Sequence, residues 1–271
     1  MLRWVVGLLA VLMLLGIALP RVPARVAGAF LEDSPVSLSG FSGSLFEGHA
    51  ARALFEIAGG AMHLGSVGWS VDGLSVLRLR PALTLESAWG AQRIAAKVKL
   101  AGNRVDLKDV DARIPAALIR QFLPLELGGT VQLQLQELSV DLPETGQPEQ
   151  SSATGAGGAG PGLRSAQGRL VWEKADWQTT TGSRRLGSYV AELDSGQPGT
   201  LRAQVLTLSG PVNVSGEAQL LDGRYDIDLL IRGEQGPLAA DLAQALSLLA
   251  IPEGDGYRLK LEGELAAAGP A

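Results

Sequence analysis

Seven residues set the terms for this chain. Thr130-Val131-Gln132-Leu133-Gln134-Leu135-Gln136 places an apolar side chain at every second position, with threonine or glutamine between. A helix would scatter Val131, Leu133 and Leu135 around its circumference, whereas a strand puts all three on one face. The stretch therefore predicts a strand with one buried and one wet face, as in an antiparallel sheet. A bulge near Glu137 would keep Leu138, Val140 and Leu142 on the buried side. Ser75–Arg80, Leu83–Glu86, Lys97–Leu100 and Val105–Lys108 alternate in the same way. Asp72-Gly73 and Gly102-Asn103 supply residues tolerant of positive φ, which predicts hairpin turns there.

Two intervals carry a helical period instead. Ile114, Leu118 and Phe122 recur every four residues, with Pro115 suited to a first turn and Pro124 to a stop. Leu238, Leu242, Leu246 and Leu249 form a second apolar stripe. Each predicts one short amphipathic helix.

The N-terminus bears on location. Trp4 to Leu19 is a run of sixteen residues without charge. As a helix it would cover roughly 24 Å. That is short for a hydrocarbon core of about 30 Å, and Leu2, an interfacial Trp4 and a snorkelling Arg3 would extend it. Val22-Pro23-Ala24 resembles a signal-peptidase site, but Pro20, Arg21 and Pro23 crowd it and the apolar run exceeds an ordinary signal core. The expectation is an uncleaved anchor with the bulk of the chain translocated and the short tail inside.

Composition removes several classes of function. The net charge is −5, and the basic residues are dispersed, which excludes the basic face of a nucleic-acid binder. Cysteine is absent, so disulfides and thiolate metal sites are excluded. The 35 glycines and 46% hydrophobic content fit a turn-rich globular chain. Glu144 to Gly162 is different. It runs through Gln147-Pro148-Glu149-Gln150-Ser151-Ser152 into Gly155–Gly160 without a large apolar residue, and reads as a flexible linker or long surface loop.

The chain also echoes itself. Gly43-Ser44-Leu45-Phe46-Glu47-Gly48-His49-Ala50 returns as Gly168-Arg169-Leu170-Val171-Trp172-Glu173-Lys174-Ala175, at an offset of 125. Leu64-Gly65-Ser66 returns as Leu186-Gly187-Ser188 at 122, and Leu83-Thr84-Leu85 as Leu206-Thr207-Leu208 at 123. Arg104-Val105-Asp106 matches Arg224-Tyr225-Asp226 at 120, and Val131 matches Tyr257 at 126. The landmarks keep their order, which points to a duplicated module with Gly43–Ala50 as its first strand.

No constellation of catalytic groups emerges. His49 and His63 are the two histidines, and neither lies near a carboxylate at ligand spacing. Asp106, Asp109 and Asp111 lack the glycine and glutamate of a calcium loop and are neutralised by Arg104 and Lys108. Ser42-Gly43-Ser44 is not a nucleophile elbow. Gly155–Gly160 has no strand before it and no helix after it, as a dinucleotide fingerprint would require. Asn213-Val214-Ser215 fits a glycosylation sequon, a pattern common by chance. Trp69, Trp89, Trp172 and Trp177 fall in strand-like pattern and are expected to pack on the sheet. The reading is of a non-enzyme, with no catalytic, cofactor-binding or metal-binding residue.

These residues together resemble a known family. The N-terminal apolar segment, Gly43–Gly48, Leu64-Gly65-Ser66-Val67-Gly68-Trp69, Gly168–Trp172, Leu186–Tyr189 and the leucine-rich stretch before Gly254-Asp255-Gly256-Tyr257 are similar to type II secretion system protein N. The resemblance implies an inner-membrane, single-pass protein of Gram-negative bacteria with most of its mass in the periplasm. It would be an accessory or scaffold component in the export of folded proteins across the outer membrane. Its partners would be other inner-membrane and periplasmic subunits of the apparatus, with membrane lipid as a further partner and no nucleic acid or cofactor.

The expected architecture is mainly β. A tail and transmembrane helix (1–25) precede a first periplasmic β module (26–143), a Gly/Ala-rich linker (144–163) and a second β module (164–271). The modules are mostly antiparallel, and each carries one short amphipathic helix. A different class of function shares this physics: AsmA-like lipid binding or transfer, in which an apolar sheet face shelters acyl chains. The amphipathic helices discriminate, because they favour a scaffold if they cover the apolar face.

Overall fold

The structure, a computed structural model, describes residues 22–29, 31, 36–57, 60–78, 80–121, 126–142, 162–179, 182–221 and 223–264. Most of the expected anchor over 1–25 lies outside them, as does the expected linker over 144–163 apart from Gly162 and Leu163. Among the described residues no helix is long and apolar enough to cross a membrane.

The protein is mainly β, built from antiparallel strand pairs. It divides into two compact units, residues 1–99 and 100–271. In the first, a short helix α1 (Val26–Ala29) precedes β1 (Val36–Gly43), β2 (Glu47–Ile57), β3 (Gly60–Val71), helix α2 (Gly73–Leu77), β4 (Ala82–Trp89) and β5 (Gln92–Ala101), whose last two residues belong to the second unit. Each of these strands pairs with the next in sequence. The chain before α1 docks on the β1–β2 turn, where Ala24 N–H donates to Gly43 O at 3.1 Å and Leu45 N–H to Val22 O at 2.8 Å.

The second unit contains β6 (Arg104–Pro115), a 3-10 turn (Ala116–Gln121), β7 (Leu127–Asp141), β8 (Gly162–Thr179), β9 (Gly182–Asp194), β10 (Thr200–Ser209), β11 (Val212–Leu221), β12 (Arg224–Gly233), α3 (Ala240–Leu246), β13 (Ile251–Glu253) and β14 (Gly256–Glu264). Strands β6 to β12 again pair in sequence order, and β14 then lies between β12 and β13. Strands two apart, β8 with β10 and β9 with β11, also approach one another, so the sheet is strongly curled there. Curling follows from the bulges described below, each of which bends its strand and adds twist.

Strands β7 and β8 form an extended ladder from Leu127↔Trp177 to Asp141↔Gly162. The segment expected as a linker thus joins two paired neighbours. The ladder shifts register between Leu135 and Glu137, which puts the expected bulge at Gln136. Leu142, by contrast, is 44% exposed and does not face inward.

Several expectations are corrected. Ser75–Leu77 belongs to a helix, not a strand. The Asp72 carboxylate accepts from Leu74 N–H at 3.1 Å and caps α2, and Ser75 Oγ takes the Ala82 N–H at 2.7 Å. A local cap therefore outcompetes the period-two pattern. Ile114 and Pro115 lie in β6 opposite Val131 and Thr130, leaving only a 3-10 turn where an amphipathic helix was expected. Phe122 lies outside the described residues. The second helix stops at Leu246, and Leu248 and Leu249 are 83% and 61% exposed.

Gly43–Ala50 is not the first strand either. Gly43 ends β1 with φ +81°, Ser44–Phe46 make the turn and Glu47 opens β2. The equivalence of its echo shifts too. Ala53↔Gly65 in β2–β3 and Ala175↔Gly187 in β8–β9 sit in the same double register shift, which sets the offset at 122 on both strands rather than 125 on the first.

Candidate functional site

The ladders of the second unit sort the side chains onto two unlike faces. Following partners from β6 to β14, one row reads Val110, Leu135, Gly168, Leu193, Ala203, Ala218, Ile227 and Leu261. The next row on that face reads Ala112, Leu133, Leu170, Ala191, Val205, Gly216, Leu229 and Leu259. A third row holds Ile114, Val131, Trp172, Tyr189 and Thr207, continuing with Val214, Ile231 and Tyr257. The intervening residues face the other way and read Asp111, Gln134, Arg169, Glu192, Gln204, Glu217, Asp228 and Lys260. One face is apolar over eight strands, whereas the opposite face is mixed: this row is polar, and its neighbour holds Val171, Val190, Leu206 and Leu230 beside Arg113, Gln132, Ser215 and Arg258.

Three polar side chains of the apolar face bond to backbone. Tyr189 O–H donates to Val212 O at 3.2 Å, and burial pushes its pKa up to about 12. Thr207 Oγ1 donates to Val214 O at 2.9 Å and accepts from Val214 N–H at 2.6 Å. Trp172 Nε1–H donates to Gly128 O at 3.0 Å while its ring meets that of Tyr189. These three groups are thus spent, whereas the Tyr257 phenol in the third row has no hydrogen-bond partner among the described residues.

Most of these apolar side chains are only half-buried. Helical cover within this unit is partial, with the 3-10 turn lying against β7 and β6. No residue of α3 is buried, and in the 3-10 turn Ala116 is buried while Leu118 stays half-buried. The cover expected from two amphipathic helices is therefore incomplete among the described residues.

At one end of the apolar face lies a cleft of about 630 Å³. Its walls include Arg184 and Arg185 from β9, Gly210, Pro211 and Val212 at the β10–β11 turn, and Gly233 to Ala239 with Leu242 of α3. Val212 stands two residues before Val214 on the same strand, so the cleft opens directly onto the apolar rows. Arg184 is held by Asp241 of α3 at 2.8 Å.

The polar face is tied by ion pairs between strands. Arg258 bridges Asp228 at 2.7 Å and Glu253 at 3.2 Å, with Lys260 also near Asp228. Hydrogen bonding from Arg258 holds the Asp228 carboxyl below the usual range, and the two carboxylates in turn raise Arg258. Asp141 stands between Arg104 and Arg164, at 3.3 and 3.1 Å. Loss of solvent pushes its carboxyl up, but the hydrogen bonds from Arg164 and Arg104 prevail and hold it below the usual range.

The residues flagged in the sequence are dispersed. His49 is exposed on β2, and His63 on β3 stacks on Trp89 with ring centroids 5.2 Å apart. Asp106 accepts from Ser139 Oγ at 2.6 Å, Asp109 occupies a left-handed turn at φ +50° within β6, and Asp111 is exposed. No group of three metal-binding side chains forms among the described residues. Trp69 donates to Leu45 O at 3.0 Å, locking the β1–β2 turn, whereas Trp89 is 46% exposed. The cleft itself was missed in the sequence. The one sign of it was the run Gly233–Pro237 between a strand and a leucine stripe.

Fold and site together define a curled antiparallel β protein with one open apolar face and ion pairs that hold strands together. The family follows from comparison. The model of "Type II secretion system (T2SS), protein N" matches residues 34–260, and the chain belongs to that family, a component of type II protein secretion. It is also 28% identical over 274 residues to a Vibrio cholerae protein described as "Type II secretion system protein N", covering 96% of this chain and 97% of that one. No solved structure matches it.

Proposed function

We propose that this chain is a non-enzymatic accessory or scaffold subunit of the type II secretion machine. It supports export of folded proteins from the periplasm across the outer membrane. The apolar run Trp4–Leu19 anchors it in the inner membrane as a single span, and the β units lie in the periplasm, in contact with other inner-membrane and periplasmic subunits. The observation that carries this reading is the family match over 34–260, which runs from before β1 into β14. The match spans nearly the whole β region, which supports a role for that region as one unit. The ion pairs agree with a structural role, since they join neighbouring strands.

Two measurements test this. Deleting the gene should trap a folded type II substrate in the periplasm, and the full chain should restore its export. Because the chain has no cysteine, Gln219→Cys provides a unique thiol on the exposed face of β11. A membrane-impermeant maleimide should label it once the outer membrane is opened. Unchanged secretion in the deletion strain, or labelling only after the inner membrane is broken, would overturn the proposal.

A further inference from the structure

We infer that the apolar face of the second unit holds the acyl chains of a phospholipid with an amine-bearing, zwitterionic headgroup seated in the cleft beside Arg185 and Glu234. The inference goes beyond the secretion role and does not rest on it.

Area is the first argument. Along β11 the face runs from Val212 through Val214, Gly216 and Ala218 to Leu220. Eight residue steps at about 3.3 Å give roughly 26 Å. A bilayer core of about 30 Å is two chains deep, so one acyl chain needs roughly 15 Å. A chain laid along the strands from the cleft is therefore covered over its whole length. Sideways, eight strands at about 4.8 Å leave room for more than one chain. Apolar area of this extent, left half-buried within the unit, marks a binding surface.

The chemistry of the face is the second. Tyr189, Thr207 and Trp172 have spent their hydrogen bonds on backbone carbonyls, so the face is almost wholly apolar and only the Tyr257 phenol at its edge is left to meet a polar atom. Such a surface suits a hydrocarbon chain, which needs area and no direction.

The cleft supplies what an acyl chain lacks. Of its two arginines, Arg184 is neutralised by Asp241. Arg185 and Glu234 both line the cleft and have no ion pair among the described residues. One free cation and one free anion at the end of an apolar trough complement a phosphate and an ammonium carried on one amphiphile. A purely anionic headgroup would satisfy Arg185 and be repelled by Glu234.

The test uses the full chain in a Gram-negative host. The photoreactive residue p-benzoylphenylalanine replaces Leu193 or Leu229 on the apolar face, or Glu192 or Glu217 on the polar face. After illumination, denaturing purification and digestion, mass spectrometry reads adducts on the peptide carrying the probe. The expected result is phospholipid adducts at least tenfold more abundant at 193 and 229 than at 192 and 217, with phosphatidylethanolamine predominant. Arg185→Glu should cut the yield at 229 several-fold, and Arg185→Lys should restore it. Absence of lipid adducts at 193 and 229, equal adducts on both faces, or protein cross-links in their place would overturn the inference. Lipid adducts of random headgroup, unaffected by Arg185→Glu, would overturn the headgroup site.

Discussion

Gly187 stands directly opposite Ala175 in the β8–β9 ladder, and that alanine is only 1% exposed. Gly65 stands opposite Ala53, 0% exposed, in the β2–β3 ladder. Both glycines have positive φ, +143° and +76°. In both places the register slips on either side of the pair. A Cβ at Gly187 would meet Ser209 O, and one at Gly65 would meet Ala88 O. The bulge therefore needs a residue that can reverse its backbone and leave room for the next strand's carbonyl. Gly187→Ala is expected to lower stability by about 1–3 kcal/mol, read as a shift in the urea midpoint. Gly223→Ala is the control. Its φ is +81°, but nothing lies within 4 Å, so only the backbone cost of roughly 1 kcal/mol applies.

The second prediction concerns acid. Asp228 is held below its usual pKa by Arg258. In the unfolded chain it takes up a proton near its ordinary value of 3.8, and in the fold only at lower pH. Its contribution is therefore complete above that value and lost as pH falls through the folded one. Asp141 behaves in the same sense. Asp228→Asn should flatten the fall of melting temperature as the pH is taken below 4. An acid profile identical to the parent would show that the pair does not couple to folding.

Tyr189 carries the opposite sign. Its phenol titrates near 12 in the fold against 10 when free. The stabilisation is present in full below pH 10 and disappears as pH rises through about 12. Tyr189→Phe should cost about 1 kcal/mol at neutral pH, from the bond to Val212 O. It should also remove part of the loss of stability between pH 10 and 12. Chemical denaturation at neutral pH and across that interval checks both.

What could be read from sequence follows from the range of the interactions. Strands such as Thr130–Gln136 were legible because side-chain alternation is a local consequence of burying one face. So was the bulge beside Glu137, where that alternation breaks. Ser75–Leu77 was misread because the capping bond from Asp72 and the tie from Ser75 to Ala82 leave no periodic trace. The repeat was visible, but its first landmark was set three residues off. The residues that share a role in the bulge are Ala53 and Ala175, and the more conspicuous Gly-x-Leu strings do not correspond. The cleft was hidden because Arg184, Pro211 and Leu238 meet only once β9, the β10–β11 turn and the chain before α3 converge.

The last prediction concerns the stretch between β7 and β8. Asp141 pairs with Gly162, so the ends of this stretch are already neighbours in the sheet. Antiparallel neighbours need only a few residues to connect them. Deleting 147–160 still leaves residues 142–146 and 161 to make the turn. Loop closure becomes slightly cheaper, by about 0.6 kcal/mol for each halving of the loop. Gln147–Gly160 contains no large apolar side chain whose burial would be lost. The variant should melt within a few degrees of the parent and keep the Arg104–Asp141–Arg164 bridge, read by the unchanged effect of Asp141→Asn in both backgrounds. A drop in melting temperature of ten degrees or more would mean that the deleted residues pack on the sheet.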